Sequence, residues 1–287
     1  MTGREQGYLL LTNRLGDPAC KPLSLSQLDR LGQAVHAAPA PTQDRAVTCD
    51  DLLKMGLEMD FAVQILSLLN RKEQLKQYLK KAKAAGCYPL TRISDGYPVR
   101  LLQRLGADAP AVLWCKGDLK LLQRRSVGVV GSRDLQIENY CFANEVGRQA
   151  AKQGFAVVSG NARGADSAAQ DGCLTNRGFV VSILPDELSK QPAARRVLYL
   201  SEDGFDVGFS SYRALRRNRI IHGLGEKTFV AQCAYGRSGT WDGTRNNLRN
   251  KLSPVYCFRD GSPAARELEQ LGARLIGRED LADLQNL

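Results

Sequence analysis

From Ser126 onward the chain repeats one pattern, a short continuous apolar run followed by a longer segment of helical periodicity, and this constrains the fold more than any other feature of its 287 residues. The runs are Val127-Gly128-Val129-Val130, Phe155-Ala156-Val157-Val158, Phe179 to Leu184, Thr228 to Ala231 and Val255 to Phe258. Helices are expected from about Ile137 to Gln153, Asp166 to Thr175, around Ala214 to Leu224, from about Thr244, and from about Pro263 to Leu271. An apolar run without polar alternation is a strand covered on both faces, and strands separated by helices pair in parallel. The prediction for residues 125–287 is therefore an α/β domain, a Rossmann-like parallel sheet with helices on both faces. Such sheets hold ligands outside the carboxyl ends of their strands.

The preceding chain has a different texture. Residues 1–86 read as a helical domain: Thr48-Cys49-Asp50-Asp51 offers a cap ahead of Leu52, and Phe61, Ile65, Leu68, Leu69, Leu75, Tyr78 and Leu79 recur at helical spacing. Gly86 can end the last helix, and Ala38-Pro39-Ala40-Pro41 reads as a loop between helices. Lys72, Lys76, Lys80, Lys81 and Lys83 cover the outer face, either solvated or touching phosphates. Residues 87–124 form a connecting segment, extended where Tyr88-Pro89, Tyr97-Pro98 and Ala109-Pro110 disfavour helix. Neither an internal repeat nor a low-complexity tract occurs, and with the chain stopping soon after Arg274-Leu275-Ile276 no further domain is expected.

Charge points to an anionic partner. Forty Lys and Arg against thirty Asp and Glu give a formal net charge of +10, which suits nucleic acid and also a merely soluble basic surface. Eight cysteines lie far apart without a CxxC pair, and His36 and His222 are the imidazoles, so no metal site or cofactor is expected. The start lacks a signal peptide, and no membrane span is apparent, so the thiols are read as reduced core fillers of a cytoplasmic protein.

Four turns carry candidate chemistry. Gly131-Ser132-Arg133 follows the first strand, where Gly131 lets backbone approach an anion, Ser132 donates a hydrogen bond and Arg133 forks onto phosphate; a tight turn with a solvated arginine is equally open. The second strand ends in Ser159-Gly160-Asn161-Ala162-Arg163-Gly164-Ala165-Asp166, an anion-binding helix start in which Asp166 is placed as an N-cap. Arg213, Arg216, Arg217 and Arg219 form either a phosphate-contacting row with Asn218 or an exposed helix start, where cations would oppose the dipole. Gly236-Arg237-Ser238-Gly239-Thr240-Trp241-Asp242-Gly243-Thr244 makes a further phosphate cradle, with Trp241 stacking a base or serving as a core or dimer residue.

These turns, in this order, resemble the DNA-processing protein DprA (Smf) family. Its VGSR, SGxARGxDxxAH, RNRxIxGL and SGSxxTA motifs are similar to Val130 through Arg133, Ser159 through Gln170, Arg217 through Leu224 and Ser238 through Thr244, and its YP and PPxVLxxxG features to Tyr97-Pro98 and Ala109 through Gly117. The resemblance covers roughly Pro89 to Phe258, with a small helical, SAM-like domain before it. It implies a non-enzymatic protein that binds single-stranded DNA without sequence preference, protects it, loads a RecA-like recombinase in natural transformation and acts as a homodimer. Site residues implied are Gly131, Ser132, Arg133, Ser159, Gly160, Arg163, Gly164, Arg217, Asn218, Arg219, Ser238, Gly239 and Thr240, with Lys190 from the segment Pro185 to Pro192. The chain departs from the pattern at Gln170, where the family has histidine, at Asn161, at the degraded segment after the third strand, in its SGTWDGT loop, and in lacking the winged helix of many members.

Two other readings stand beside this one. Related Rossmann-type domains bind nucleotides, and the LOG phosphoribohydrolases cleave nucleoside monophosphates with a PGGxGT loop and a glutamate, which Arg237 through Thr240 with Asp242 loosely echo. The third is a scaffold that contacts other proteins and uses its phosphate pocket structurally.

Overall fold

The computed structural model describes residues 1–38, 45–236 and 238–287. Its amino-terminal part is helical: α1 (Gly3–Thr12), α2 (Leu25–Ala37), α3 (Cys49–Lys54), α4 (Met59–Leu69) and α5 (Lys72–Ala84). Thr2, Ser24 and Thr48 each begin a helix with a reciprocal capping box, as the Thr48-Cys49-Asp50-Asp51 signal predicted for α3. Leu23, Leu52, Phe61, Ile65 and Leu68 bury a small core of their own. The chain leaves α5 through Ala85 and Gly86. The loop expected over Pro39 to Pro41 lies outside the described residues, as does Arg237.

One nine-stranded sheet organises the remainder. In chain order its elements are β1 (Tyr88–Thr91), α6 (Val99–Leu105), β2 (Val112–Lys116), β3 (Ser126–Val130), α7 (Ile137–Lys152), β4 (Ala156–Ser159), α8 (Ala165–Thr175) and β5 (Phe179–Ile183). They continue with β6 (Val197–Ser201), α9 (Ser211–Arg216), α10 (Asn218–Leu224), β7 (Thr228–Val230), α11 (Gly239–Asn250), β8 (Val255–Phe258), α12 (Pro263–Gln270) and β9 (Arg274–Ile276). The spatial order is β1-β2-β6-β5-β4-β3-β7-β8-β9. Strands β3 to β9 pair in parallel, whereas β1 and β2 run antiparallel at one edge. The Rossmann-like sheet is therefore present, with apolar layers on its two faces centred on Phe142, Val157 and Phe229 and on Val158, Leu198 and Ile221. Thiols fill these layers: Cys115 and Cys173 are fully buried, and burial pushes the Cys173 thiol up to about 11.

Several elements differ from the sequence expectation. Segment 87–124 supplies β1, α6 and β2, so the proline-rich chain joins the sheet, and Pro98 becomes the residue that starts α6. Strand β6 was not anticipated, because Val197-Leu198-Tyr199-Leu200 follows directly on Arg195-Arg196 without a helical stretch before it. The single helix expected around Ala214 to Leu224 is divided into α9 and α10 at Arg217. Helix α11 starts at Gly239 rather than Thr244, since the Ser238 hydroxyl accepts the Trp241 N–H and caps it. No helix among the described residues is long and apolar enough to cross a membrane.

Candidate nucleic-acid interface

Sheet order reverses between β3 and β7, and the turns that leave these strands diverge there. That divergence opens a cleft of about 640 Å³ beyond the carboxyl ends, the place where a doubly wound sheet accepts ligands. One wall is Gly131, Ser132 and Arg133 after β3, the other Ser238, Gly239 and Thr240 at the start of α11, with Arg217 and Asn218 across the opening. The walls are joined through backbone carbonyls: Ser132 N–H donates to Gln232 O at 2.8 Å, the Thr240 hydroxyl to Gly131 O at 3.0 Å, and the Asn218 side-chain amide to Gly239 O at 3.0 Å. Both α8 and α11 direct their amino ends here, so the positive ends of two helix dipoles favour an anion.

Two glycines set how closely the parts approach. At Gly164 φ is +87°, and an added Cβ would overlap the main-chain oxygens of Ser132 and Arg133. Gly164 thereby takes the position before α8, and Asp166 is not the N-cap that its sequence position suggested. It lies one residue inside the helix, where its Oδ2 accepts the Ala162 N–H at 3.1 Å and pairs with Arg217 at 3.2 Å. At Gly160 an added Cβ would occupy the space of the Arg217 guanidinium, which lies flat against the backbone there. Ser159 is wholly buried at the end of β4, behind the cleft rather than lining it.

The arginine row is matched by carboxylates that the sequence reading passed over. Arg213 pairs with Asp203 at 2.7 Å and also donates to the Pro185, Val207 and Gly208 carbonyls, each at 2.7 Å. Arg216 lies 3.1 Å from Glu202, and Arg219 reaches the same carboxylate at 2.9 Å. Arg213 and Arg216 stand in the last turn of α9, where cations favour the helix dipole, whereas Arg217 and Arg219 stand at the start of α10 and oppose it, so the expected unfavourable helix start holds for two of the four. Arg219 turns away from the cleft, and Lys190 is outside it, paired with Glu187 at 3.0 Å. Arg163 is exposed and pairs with Asp134 at 2.6 Å. Arg133 is exposed over the cleft and has no ion pair among the described residues.

Trp241 is 4% exposed and packs edge-on against Tyr235, with ring centroids 4.9 Å apart, so the base-stacking alternative does not suit it. Its position in the first turn of α11 faces the ring inward. The aromatic that does line the cleft is Phe209, 53% exposed, with Leu215 beside it. The signal for Phe209 was an apolar residue stranded among glycine and serines in Val207-Gly208-Phe209-Ser210-Ser211.

Comparison with known proteins follows the same outline. The family model described as DNA recombination-mediator protein A matches residues 89–280. The DNA processing protein DprA of Streptococcus pneumoniae is 32% identical over 209 residues, covering 67% of this chain and 73% of that protein. The protein of the same description from Bacillus subtilis is 28% identical over 186 residues, covering 59% of this chain and 62% of its own length, under two thirds. Among solved structures, the Streptococcus pneumoniae DprA crystal structure superposes with a TM-score of 0.73 at 23% identity, covering 96% of both chains. A Helicobacter pylori DNA processing protein A, described for its single-stranded DNA binding mode, gives a TM-score of 0.58 at 24% identity over 68% of this chain and 94% of that one. These two likenesses show a shared fold.

Proposed function

Because the chain belongs to the DNA recombination-mediator protein A family, we propose that it binds single-stranded DNA without sequence preference, with the phosphate backbone lying in the cleft between β3 and β7. The observation that carries this reading is the convergence of two helix amino ends on a cleft rimmed by Arg133, which has no ion pair among the described residues. Gly131, Gly164, Gly239 and Thr240 bring backbone N–H groups toward the phosphates, while the Ser132, Ser238 and Thr240 hydroxyls, which donate to the Gln232, Ala234 and Gly131 carbonyls, shape the walls that receive them. Ser159, Gly160, Arg217 and Asn218 hold that surface in place from behind and across the opening, and Arg163 joins it on exchanging Asp134 for phosphate. Arg219 and Lys190 act at a distance, through the local field alone. Phe209 is the ring on which a base stacks.

Family membership and a described single-strand binding mode in the Helicobacter relative support the further steps. The protein is assigned protection of incoming strands, their transfer to a RecA-like recombinase in natural transformation, a homodimeric state and no catalysis. The test is a salt titration against single-stranded and duplex DNA. Arg133→Glu is expected to weaken single-strand binding at least tenfold and to flatten the logarithmic salt dependence by about 0.7 or more, the slope of one phosphate contact on a single strand. Unchanged affinity and slope would remove the cleft from the binding surface.

Cleft size supports a second reading, since about 640 Å³ also suits one nucleotide. Its hydrolytic form is less well supported: Asp242 is exposed on the first turn of α11 and does not line the cleft. Retention of a nucleoside monophosphate without retention of oligonucleotides would select nucleotide binding.

A further inference from the structure

The edge of the sheet opposite the cleft carries a second concentration of positive charge. Arg100 and Arg104 project from α6, Arg124 and Arg125 precede β3, and between them lies the Gly225-Glu226 turn that leads into β7. Glu226 is shared by Arg100 at 3.2 Å and Arg125 at 3.0 Å. Arg104 donates to the Gly223, Gly225 and Glu226 carbonyls. Neither Arg104 nor Arg124 has an ion pair among the described residues. Four guanidinium groups against one carboxylate leave three positive charges in one place.

These groups are held rather than waving in solvent. The Arg124 guanidinium sits 3.9 Å from the Phe179 ring centroid, and Arg125 sits 4.4 Å from that of Phe155. Between Arg100 and Arg124 is a hollow of about 130 Å³, with Gln123 and Ser126 on its rim and Val158, Val181 and Leu224 in its floor. Partial burial, with the neighbouring Arg100 charge, lowers Arg104 to about 10. Capping of the α10 carbonyls explains why Arg100 and Arg104 lie where they do. It does not explain Arg124, nor an uncompensated charge that costs stability wherever cations crowd a partly desolvated surface.

We propose that this edge is a second phosphate site, in which Arg100 and Arg124 each grip one of two neighbouring phosphodiesters of a nucleic-acid strand long enough to extend past the cleft. A phosphate oxygen supplies the missing negative charge, and the planar guanidinium groups, already oriented by Phe179 and Glu226, lose little freedom on binding it. The cleft and this edge are at opposite ends of the same strands, so a short strand reaches one and a long strand both.

The experiment titrates the full chain with single-stranded oligonucleotides of about six and about forty nucleotides over a range of salt. Arg100→Gln combined with Arg124→Gln is expected to weaken binding of the long strand about tenfold and to reduce its salt slope by about 1.4, two phosphate contacts at roughly 0.7 each. Binding of the short strand stays as in the unaltered protein. Arg124→Gln alone, which breaks no hydrogen bond, should reduce the slope by about 0.7 with a melting temperature lowered by no more than the loss of its one contact with the Phe179 ring, and it decides the matter if the double variant folds poorly. An unaltered long-strand slope, or equal weakening of both lengths, overturns the proposal. So does saturation of the edge by inorganic phosphate, followed by the amide signals of Gly225 and Glu226, with no difference between variants toward DNA. Failure of the unaltered protein to bind the short strand counts against the cleft reading and is scored separately.

Discussion

Arg217 shows how little a residue's charge says about its role until its neighbours are known. It lies 8% exposed between α9 and α10, paired with Asp166 and flattened against Gly160. A buried pair of this kind is sensitive to the loss of geometry on either side, because a displaced partner leaves a desolvated charge. Gly160→Ala is expected to push the guanidinium toward the cleft, lowering stability by about 1–2 kcal/mol and changing single-strand affinity severalfold. Gly164→Ala meets main-chain oxygens that cannot swing aside, at a φ that disfavours any Cβ, and should cost roughly 3 kcal/mol or more. Chemical denaturation of the two variants side by side checks the order. The glycine spacing of Ser159 to Asp166 was legible as a tight helix start, but the partner of Asp166 lies 51 residues away in the chain. Periodicity carries no information about that separation.

At the scale of elements, α10, α11 and β7 are joined through a buried polar cluster. His222 Nδ1 is 2.9 Å from Asn247 Nδ2 and 3.3 Å from Thr228 Oγ1, and Ser253 completes the group. Since the Asn247 amide donates, Nδ1 accepts and the proton resides on Nε2, which has no partner. Burial lowers the His222 pKa to about 4, below the value of about 6.5 in an unfolded chain. The unfolded state therefore binds a proton at a higher pH than the folded state does. Stability is fully present above about pH 6.5 and declines as pH falls toward 4, by about 3 kcal/mol in all. Thermal unfolding should track this window, and His222→Gln should flatten it. Helix α10 was anticipated from its apolar spacing, whereas β6 and α6 were not, since short elements flanked by arginine or proline gain their order from the sheet they join.

Over the whole molecule, the helical amino-terminal part is tied to the cleft through one loop. Tyr78 of α5 donates to Asp206 Oδ1 at 2.5 Å, and its ring meets Trp114 and Phe205 at centroid distances of 5.2 and 4.8 Å. Asn13 Nδ2 donates to Asp203 O at 3.2 Å, while Arg213 holds the loop's Val207 and Gly208 carbonyls. The same loop delivers Phe209 to the cleft. Burial together with the Asp206 carboxylate keeps the Tyr78 phenol protonated, far above its ordinary range. Tyr78→Phe retains the ring packing and removes the tie. It is expected to cost about 1 kcal/mol and to weaken single-strand binding severalfold, with the effect absent for a variant at an exposed α5 position such as Lys80→Gln. Equal binding by Tyr78→Phe would mean that the loop holds its place without the helices.

The sequence by itself determined the parallel α/β sheet and the positions of its ligand-facing turns. Continuous apolar runs can only be buried on both faces, and strand-to-helix turns in such a sheet fall at one edge. It also determined the first helices through their caps, which are local hydrogen bonds between residues three apart. Only the tertiary structure decided which cations stay available to a ligand. Arg213, Arg216, Arg217 and Arg219 meet carboxylates across the fold, Trp241 turns into the core and Phe209 out of it, and Arg133 over the cleft has no ion pair among the described residues. Ion pairing and burial depend on which distant segments share a surface, and that is set by how the layers stack.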